Sequence, residues 1–267
     1  AKIILALERQ DTGHVLFDGM DIHTAKGEAL THIRRGIQVI FQDPFGSLNP
    51  RKKISSIITE PMIIHNAGSK TLRYERAFEL MNMVGLSKDM LGRYPHEFSG
   101  GQRQRICIAR ALAVNPRLLL CDEPVSALDV SIQAQVINLL VDLQAEFNLS
   151  YIFISHDLSV VGYISHRIAV MYRGQIVELA DTSDLFENPL HPYTRCLMDA
   201  VPEPEPKKTV VPARSELAQN GNIPSSQGCS FSSGCPYKED LCMQEKPCLV
   251  EKRHRHYVAC HKNIALE

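Results

Sequence analysis

The chain has 267 residues, of which 44% are apolar and 22% charged, a balance that excludes wholesale disorder and a fibrous fold. This length suits one large domain, or one domain with an appendage. Lysine plus arginine number 29 against 30 for aspartate plus glutamate, which argues against nucleic acid as the main partner.

The sequence contains no signal for crossing a membrane. No apolar run approaches the roughly 18 residues that a membrane-spanning helix needs. Residues 1–7 are too short for the apolar core of a secretory signal and lack a cleavage-site pattern. We therefore expect a soluble, intracellular protein that can still dock on a membrane protein.

The first 200 residues alternate short β-rich runs with helical periods, which predicts an α/β domain with a largely parallel sheet. The chain begins with alanine in mid-pattern, so we interpret residues 1–7 as the tail of a helix and expect the chain to be a fragment. Residues 15–18, followed by Gly19, predict an antiparallel hairpin. Four further runs predict buried strands of the sheet: 38–41, 117–121, 151–154 and 167–171.

Two adjacent carboxylates end the apolar run LLLCDEP at 118–124. Ligands bind at the carboxyl ends of strands in open α/β sheets. Asp122 is therefore placed to hold a hydrated magnesium ion, which prefers one or two carboxylates plus phosphate oxygens. Glu123 is placed to polarise a water for in-line attack on a phosphoryl group. Taken alone, two surface acids at a strand end would explain the pair equally well.

A glycine-flanked helix start lies about twenty residues upstream, in FSGGQRQRICIARAL at 98–112. Ser99 is a good N-cap residue, and Gly100 and Gly101 let the backbone approach a ligand closely. Exposed amides at a helix N-terminus bind anions, and phosphate is the natural guest. A plain capped helix with a glycine turn remains the alternative for this motif by itself.

The order and spacing of four motifs resemble the nucleotide-binding subunit of ABC transporters: SGGQ at 99–102, CDEP at 121–124, SALD at 126–129 and ISHD at 154–157. The resemblance implies an ABC ATPase that uses ATP and Mg²⁺. It implies a signature loop that contacts ATP, a Walker B pair that holds magnesium and activates water, and a D-loop that completes the ATP site. The residues in these roles are Ser99, Gly100, Gly101 and Gln102, then Asp122 and Glu123, and then Asp129.

Two further residues take their roles from the same resemblance. His156 corresponds to the switch histidine that contacts the γ-phosphate. Gln42, in VIFQDP at 39–44, matches the glutamine that reaches magnesium and the attacking water.

The implied fold is a P-loop NTPase-like ABC ATPase domain at 1–200, with a parallel-sheet core and a helical subdomain at about 50–115. Alternating prolines from residue 201 favour an extended linker, which we place at 201–227. A small cysteine-rich module follows at 228–267.

One part of the family pattern has no match in these 267 residues: the glycine-rich loop that ends in Gly-Lys-Ser/Thr. That loop supplies the amide cradle and the lysine that grip the β- and γ-phosphates. The aromatic residue that stacks on adenine is also missing. We therefore expect that the chain as written cannot hydrolyse ATP in its own site, although it can still present its signature loop to a partner. A catalytically degenerate subunit that only completes a partner's site is the alternative.

Other motifs resemble one branch of the family, the importers of dipeptides, oligopeptides and nickel. These are FQDPFGSLNPR at 41–51, YPHEF at 94–98, LDVS at 128–131 and NPLHPYT at 188–194. As chemistry alone, 188–194 is a rigid turn with two prolines.

The resemblance to this branch implies the partners and the location. The partners are a second ATPase subunit, in a homo- or heterodimer, and membrane permease subunits reached through the loop after Gln42. A substrate-binding protein acts indirectly, and the location is peripheral, on the cytoplasmic face of the membrane. An ABC ATPase acting on nucleic acid is the rival, but neither a second such domain nor a long coiled coil occurs here. Whether the solute is a peptide or nickel stays open.

The cysteines fall into two groups. Cys107, Cys121 and Cys196 sit in apolar or helical contexts, which predicts small buried side chains. Five others fall within 32 residues, and an intracellular location favours metal ligation over disulfides. This stretch resembles the C-terminal module of peptide-importer subunits, some of which hold a 4Fe–4S cluster. On that pattern the ligands are Cys229, Cys235, Cys242 and Cys260, and Cys248 is spare. Zinc is the alternative metal, and the alternative ligands are His254, His256 and His261. Thiols without a metal, or disulfides, are the third alternative.

Overall fold

The computed structural model describes residues 1–200 and 227–262. The chain divides into two compact units, Ala1–His156 and Asp157–Glu267, and each is described by itself. In the described part of the chain, no helix is both long and apolar enough to span a bilayer.

The first unit opens with a turn that has the hydrogen bonds of a helix end. The Leu7 amide donates to the Lys2 carbonyl, and the Ala6 amide donates to the Ile3 carbonyl. Ala6 itself is left-handed, with φ 54°. These features resemble the Schellman motif that closes α-helices, but residues 2–6 form turns, so the helix tail expected at 1–7 stays a prediction.

Two short antiparallel strands follow, β1 (Leu16–Phe17) and β2 (Met20–Asp21). Asp18 and Gly19 form the turn between them, both with positive φ. The hairpin predicted from residues 15–18 is therefore confirmed.

The central sheet of the first unit is parallel and has the order β3-β4-β5. Its strands are β3 (Ile37–Ile40), β4 (Leu118–Asp122) and β5 (Ser150–Ile154), which confirms three of the predicted runs to within a residue or two. β4 is the middle strand, and its Leu119, Leu120 and Cys121 are fully buried. Burial on both faces explains why this strand is a continuous apolar run.

Helices surround this sheet. They are α1 (Gly27–Gly36), α2 (Pro44–Ser47), α3 (Ile54–Ile64), α4 (Lys70–Met83), α5 (Gly100–Leu112) and α6 (Val130–Phe147), with 3-10 turns at Lys88–Gly92 and Pro95–Glu97. α3, α4 and α5 occupy the stretch where we placed the helical subdomain. α5 is deeply buried, with Ile106, Ile108 and Ala109 fully covered.

The second unit is built on an antiparallel sheet with the order β6-β7-β9-β8. Its strands are β6 (Arg167–Tyr172), β7 (Gln175–Asp181), β8 (Val250–Arg253) and β9 (His256–Val258). Its helices are α7 (Leu158–Ile164), α8 (Thr182–Glu187), α9 (Pro192–Asp199) and α10 (Leu241–Gln244).

One predicted strand forms, but in a different sheet from the one expected. Residues 167–171 do form a strand, but it pairs antiparallel with β7 and is not part of the parallel sheet. Arg173 and Gly174 link the two strands and both have positive φ, which is the two-residue hairpin turn that returns a chain directly. Burial alternates along β6, so one of its faces stays accessible.

The division into 1–200, linker 201–227 and module 228–267 stays a prediction. Residues 201–226 of the proposed linker and 263–267 of the module lie outside the described residues. β9 from the module pairs with β7, Leu179 opposite Tyr257, so the two ends of this unit share one sheet. Long-range strand pairing of this kind has no local sequence signal.

Candidate nucleotide site

Three polar residues follow the carboxyl ends of the three parallel strands. Gln42 follows β3, Glu123 follows β4 and His156 follows β5. Since neighbouring parallel strands end at one edge of the sheet, these side chains are brought together. The Gln42 amide nitrogen donates to Glu123 Oε2 at 2.8 Å, and His156 Nδ1 lies 3.4 Å from Glu123 Oε1. The structure therefore assembles the three residues predicted as catalytic.

The site is open to solvent. The His156 side chain is 73% exposed and that of Glu123 is 28% exposed. Both carboxylate oxygens of Glu123 face polar partners, yet the group is not enclosed. An arrangement of this kind leaves room for a substrate and a water molecule.

The backbone of Glu123 is held in an uncommon conformation. Its φ is 47°, in the left-handed region, and Pro124 follows it. The Glu123 amide donates to the Ile154 carbonyl at 2.9 Å, and Ser126 Oγ donates to the Glu123 carbonyl at 3.1 Å. Non-glycine residues in sparsely populated regions of this kind cost about 1–3 kcal/mol and cluster at functional sites. The sharp turn sets the carboxylate at the end of the sheet.

Asp122 is the last residue of β4, half-buried and directly opposite Ile154 in the strand register. Among the residues that the structure describes, no three His, Cys, Asp or Glu side chains form a group that could hold a metal ion. A magnesium ion does not need such a group, since it takes one or two carboxylates and completes its shell with water and phosphate oxygens. Asp122 fits that chemistry, and the neighbouring residue Glu123 accepts the Gln42 amide.

The signature residues form the start of α5. Ser99 is its N-cap: Ser99 Oγ accepts the Gln102 amide at 3.4 Å, and the Ser99 amide donates to Gln102 Oε1 at 3.0 Å. This reciprocal pair is a capping box. A side chain at Gly101 would collide with Ile132 of α6, so glycine is required there for close packing of the two helices. Contact with nucleotide by these residues stays a prediction.

Asp129 is the N-cap of α6. It accepts hydrogen bonds from the Ile132 amide at 3.0 Å and from Ser131 Oγ at 2.8 Å. These bonds hold the pKa of Asp129 below its ordinary value. The carboxylate is therefore charged at neutral pH and caps the first turn of α6.

The cysteine-rich stretch has a tight loop at its start. The Cys229 amide donates to the Cys242 carbonyl at 2.8 Å. A Cβ at Gly228 would lie 2.6 Å from that same oxygen, so the close approach requires glycine. Cys248 is exposed, whereas Cys229, Cys235 and Cys260 are half-buried.

The thiols of this stretch influence one another. Burial raises the pKa of Cys229, Cys235 and Cys260, that of Cys235 to about 11, and neighbouring thiols add to the effect. Amides two or three residues later donate toward these three sulfurs and act in the opposite direction. Because no metal-holding group is assembled in the described residues, a metal centre here stays a prediction.

Of the three cysteines predicted to be buried, Cys107 and Cys121 are. Burial raises the pKa of Cys107 to about 11 and that of Cys121 to about 12. Cys196 is only half-buried, because α9 leaves part of it accessible.

The sequence analysis missed Glu178, a fully buried carboxylate in β7. Glu178 Oε1 lies 2.7 Å from His256 Nε2, and the carboxylate accepts the amides of Leu190 and His191 at 2.6 and 3.0 Å. These amides belong to the motif NPLHPYT, so the second unit holds that motif through its backbone. A glutamate between Val177 and Leu179 in an apolar strand was the available signal.

Comparison with known proteins identifies the same family as the motifs. Residues 1–126 match the ABC transporter family, and residues 177–242 match the oligopeptide/dipeptide transporter C-terminal region. The oligopeptide transport ATP-binding protein AppF of Bacillus subtilis is 50% identical over 97% of this chain and 80% of its own length. The probable peptide ABC transporter ATP-binding protein y4tS of Sinorhizobium fredii is 48% identical over 98% of this chain and 74% of its own length.

A solved structure supports the fold. The dimeric post-hydrolysis state of the ATP-binding cassette MJ0796, bound to ADP and Pi, is 31% identical and superposes with a TM-score of 0.60. The match covers 68% of this chain and 78% of that one.

Proposed function

We propose that the full-length subunit that contains this chain, which belongs to the ABC transporter ATP-binding subunits of the oligopeptide and dipeptide type, hydrolyses ATP to energise peptide import. The observation that carries the proposal is the junction of Gln42, Glu123 and His156 at the ends of three parallel strands. The relatives named for peptide transport support the choice of solute.

In this mechanism Glu123 is the base that polarises the attacking water. Gln42 holds one oxygen of that carboxylate and positions the water, and His156 on its other side contacts the γ-phosphate. Asp122 and Gln42 would hold Mg²⁺, which would neutralise charge on the phosphate oxygens. The open side of the site suits a nucleotide that is covered by a second subunit.

The signature residues act on the nucleotide of the partner subunit. Ser99, Gly100, Gly101 and Gln102 would cover the phosphates from the start of α5, and Asp129 would complete the contact. The partners are a second ATP-binding subunit and membrane permease subunits, with a substrate-binding protein that acts through the permease. The subunit would work as a peripheral protein on the cytoplasmic face of the membrane.

The test is ATP-driven peptide uptake into vesicles that contain the full-length subunit and its transport partners. We expect uptake with the wild-type subunit and its loss with Glu123→Gln. Glu60→Gln is the matched control, since Glu60 pairs with Lys52 on the surface and such pairs contribute little. Uptake that persists in Glu123→Gln would contradict the proposed role of the carboxylate.

We also propose that Cys229, Cys235, Cys242 and Cys260 hold a 4Fe–4S cluster, with zinc as the alternative metal. Other thiols of the set raise the pKa of Cys229, Cys235 and Cys260, and backbone amides donate toward these three sulfurs; both effects support this donor set. The role of the metal would be structural. Anaerobic purification followed by iron, sulfide and zinc analysis tests it, with Cys248→Ser as the control that should retain the metal. A preparation free of iron and zinc would contradict both versions.

A further inference from the structure

Two arginines of α5 bind the short segment that follows Gln42. We define this segment as residues 43–47, which comprise Asp43 and α2. Arg103 and Arg110 are seven residues apart, two helical turns, and so lie on the same face of α5. Each contacts a different end of the segment.

The first contact is a cation–π stack. The Arg103 guanidinium carbon lies 4.0 Å from the centre of the Phe45 ring, and Arg103 Nε also donates to the Pro95 carbonyl at 2.7 Å. Phe45 is 61% exposed, so the arginine covers one face of a ring that is otherwise open to solvent.

The second contact is a charged hydrogen bond. Arg110 Nη1 donates to the Ser47 carbonyl at 2.5 Å. Asp43 makes the segment a firm unit, because its carboxylate accepts the Phe45 amide at 2.8 Å and its carbonyl accepts Ser47 Oγ at 2.6 Å. A displacement of one end of the segment is therefore passed to the other.

The segment begins next to Gln42, and the helix that binds it begins with the signature residues. Gln42, next to its start, binds Glu123 of the subunit's own site. Ser99 and Gln102, which precede Arg103 directly, form the signature end of α5. The segment and the two arginines therefore connect Gln42, at the subunit's own ATP site, with the signature residues at the start of α5.

We propose that Arg103 is a positioning residue that, through Phe45, sets the signature end of α5 relative to Gln42. This inference rests on the proposed function, since it assigns each end of the connection to an ATP site. A change at one site then reaches the other through the Arg103–Phe45 stack, with Arg110 as the second anchor. The stack affects how strongly transport stimulates ATP hydrolysis.

The experiment is a double-mutant cycle of Phe45→Leu and Arg103→Gln in the full-length transporter in vesicles. Basal ATPase, peptide-stimulated ATPase, kcat and KM for ATP are measured for each. A cation–π contact at an exposed site is worth about 0.5–1 kcal/mol, which corresponds to roughly a 2- to 5-fold loss of stimulated kcat. We expect this loss in each single variant and no further loss in the double variant.

Two variants serve as controls. Phe45→Trp keeps an aromatic face and should retain stimulation. Arg105→Gln lies on the same helix but binds the Val84 carbonyl and Gln135, away from the segment, and should also behave as wild type. Phe45 is exposed, so its variants remain informative even if Arg103→Gln fails to fold.

The outcomes separate the two proposals. A wild-type transporter without peptide-stimulated ATPase would refute the proposed function. Normal stimulation in Phe45→Leu, or losses that simply add in the double variant, would overturn the positioning role while leaving the function intact.

Discussion

The two units of this chain each contain a glutamate–histidine pair, and the two pairs have opposite surroundings. In the first unit Glu123 and His156 lie 3.4 Å apart, with the histidine 73% exposed. In the second unit Glu178 and His256 lie 2.7 Å apart, and their side chains are 0% and 1% exposed. The first pair ends two strands of a parallel sheet, whereas the second joins two strands of an antiparallel one.

The difference shows how burial assigns different roles to the same chemistry. An exposed carboxylate keeps its water and its freedom to meet substrate, so it suits catalysis. A buried carboxylate must have all its charge compensated by the protein. Glu178 meets that requirement with two backbone amides and one imidazole. It is therefore a structural group that ties the motif NPLHPYT to β9.

The largest expected effect is on stability. Removing one member of a buried pair leaves the other uncompensated, so Glu178→Ala should lower the free energy of unfolding of the second unit by about 3–5 kcal/mol. Amide hydrogen exchange along β7 would measure this locally. The control is Glu251→Ala in exposed β8, for which we expect less than about 1 kcal/mol. Equal effects of Glu178→Ala and Glu251→Ala would show that the buried pair contributes no more to stability than an exposed carboxylate does.

A substitution in the exposed pair should change the rate of ATP hydrolysis. His156→Asn removes a group that we expect to contact the γ-phosphate, and loss of one electrostatic contact of this type lowers kcat about 100- to 1000-fold. Its free energy of unfolding should stay within about 0.5 kcal/mol of wild type, because the side chain is exposed. Steady-state ATPase of the full-length subunit with its partners, together with thermal unfolding, checks both numbers. A clear loss of stability would mean that this pair too is structural.

A third prediction concerns pH, through His191. Its ring accepts the Tyr193 amide at 3.0 Å, and burial lowers its pKa to about 4, partly opposed by Glu178. In the unfolded chain His191 takes up a proton below about pH 6.5, but in the folded chain it does so only near pH 4. Above pH 6.5, neutral His191 therefore makes its full contribution to the free energy of unfolding. As the pH falls toward 4, the free energy of unfolding decreases by about 3 kcal/mol.

Unfolding measured between pH 7 and pH 4 tests this dependence. His191→Asn keeps an acceptor for the Tyr193 amide but does not titrate in this range, so its curve should be flatter. An unchanged slope in that variant would show that another group controls the acid response of the second unit.

The smallest expected effect is an aromatic contact in the same unit. The rings of Tyr193 and Phe231 have centroids 5.4 Å apart, and Tyr172 packs against both, at 4.6 and 5.3 Å. A double-mutant cycle of Tyr193→Leu and Phe231→Leu should give a coupling energy of about 0.5–1.5 kcal/mol. Its absence would show that the Tyr193–Phe231 contact does not couple the motif NPLHPYT to the cysteine-rich stretch.

Local patterns predicted much of the fold. The apolar runs at 38–41, 117–121 and 151–154 became the parallel strands because each is buried on both faces or followed by a clear turn. The run at 167–171 was misassigned to the parallel sheet, since a short apolar run does not reveal its partner. The two-residue turn at Arg173 and Gly174 was the overlooked sign of a hairpin.

The candidate nucleotide site was predictable because Glu123 ends a recognisable apolar run, and because Gln42 and His156 take their roles from the resemblance to the ABC family. Gln42, Glu123 and His156 were named from the sequence, and the parallel sheet then required their proximity. The arginine stack on Phe45 was not predictable, because it joins a helix to a loop far away in the chain. His256 was named only as an alternative metal ligand, and the structure shows it bound to Glu178.

The sequence by itself determined the family, the parallel core and the chemistry at the strand ends, because these depend on short patterns and their order. Only the tertiary structure decided which carboxylates are exposed and which are enclosed. Glu178 and His256 are 78 positions apart, and nothing near either residue indicates the other. Burial is a property of the packed chain, and burial is what separates the pair predicted to be catalytic from the structural one.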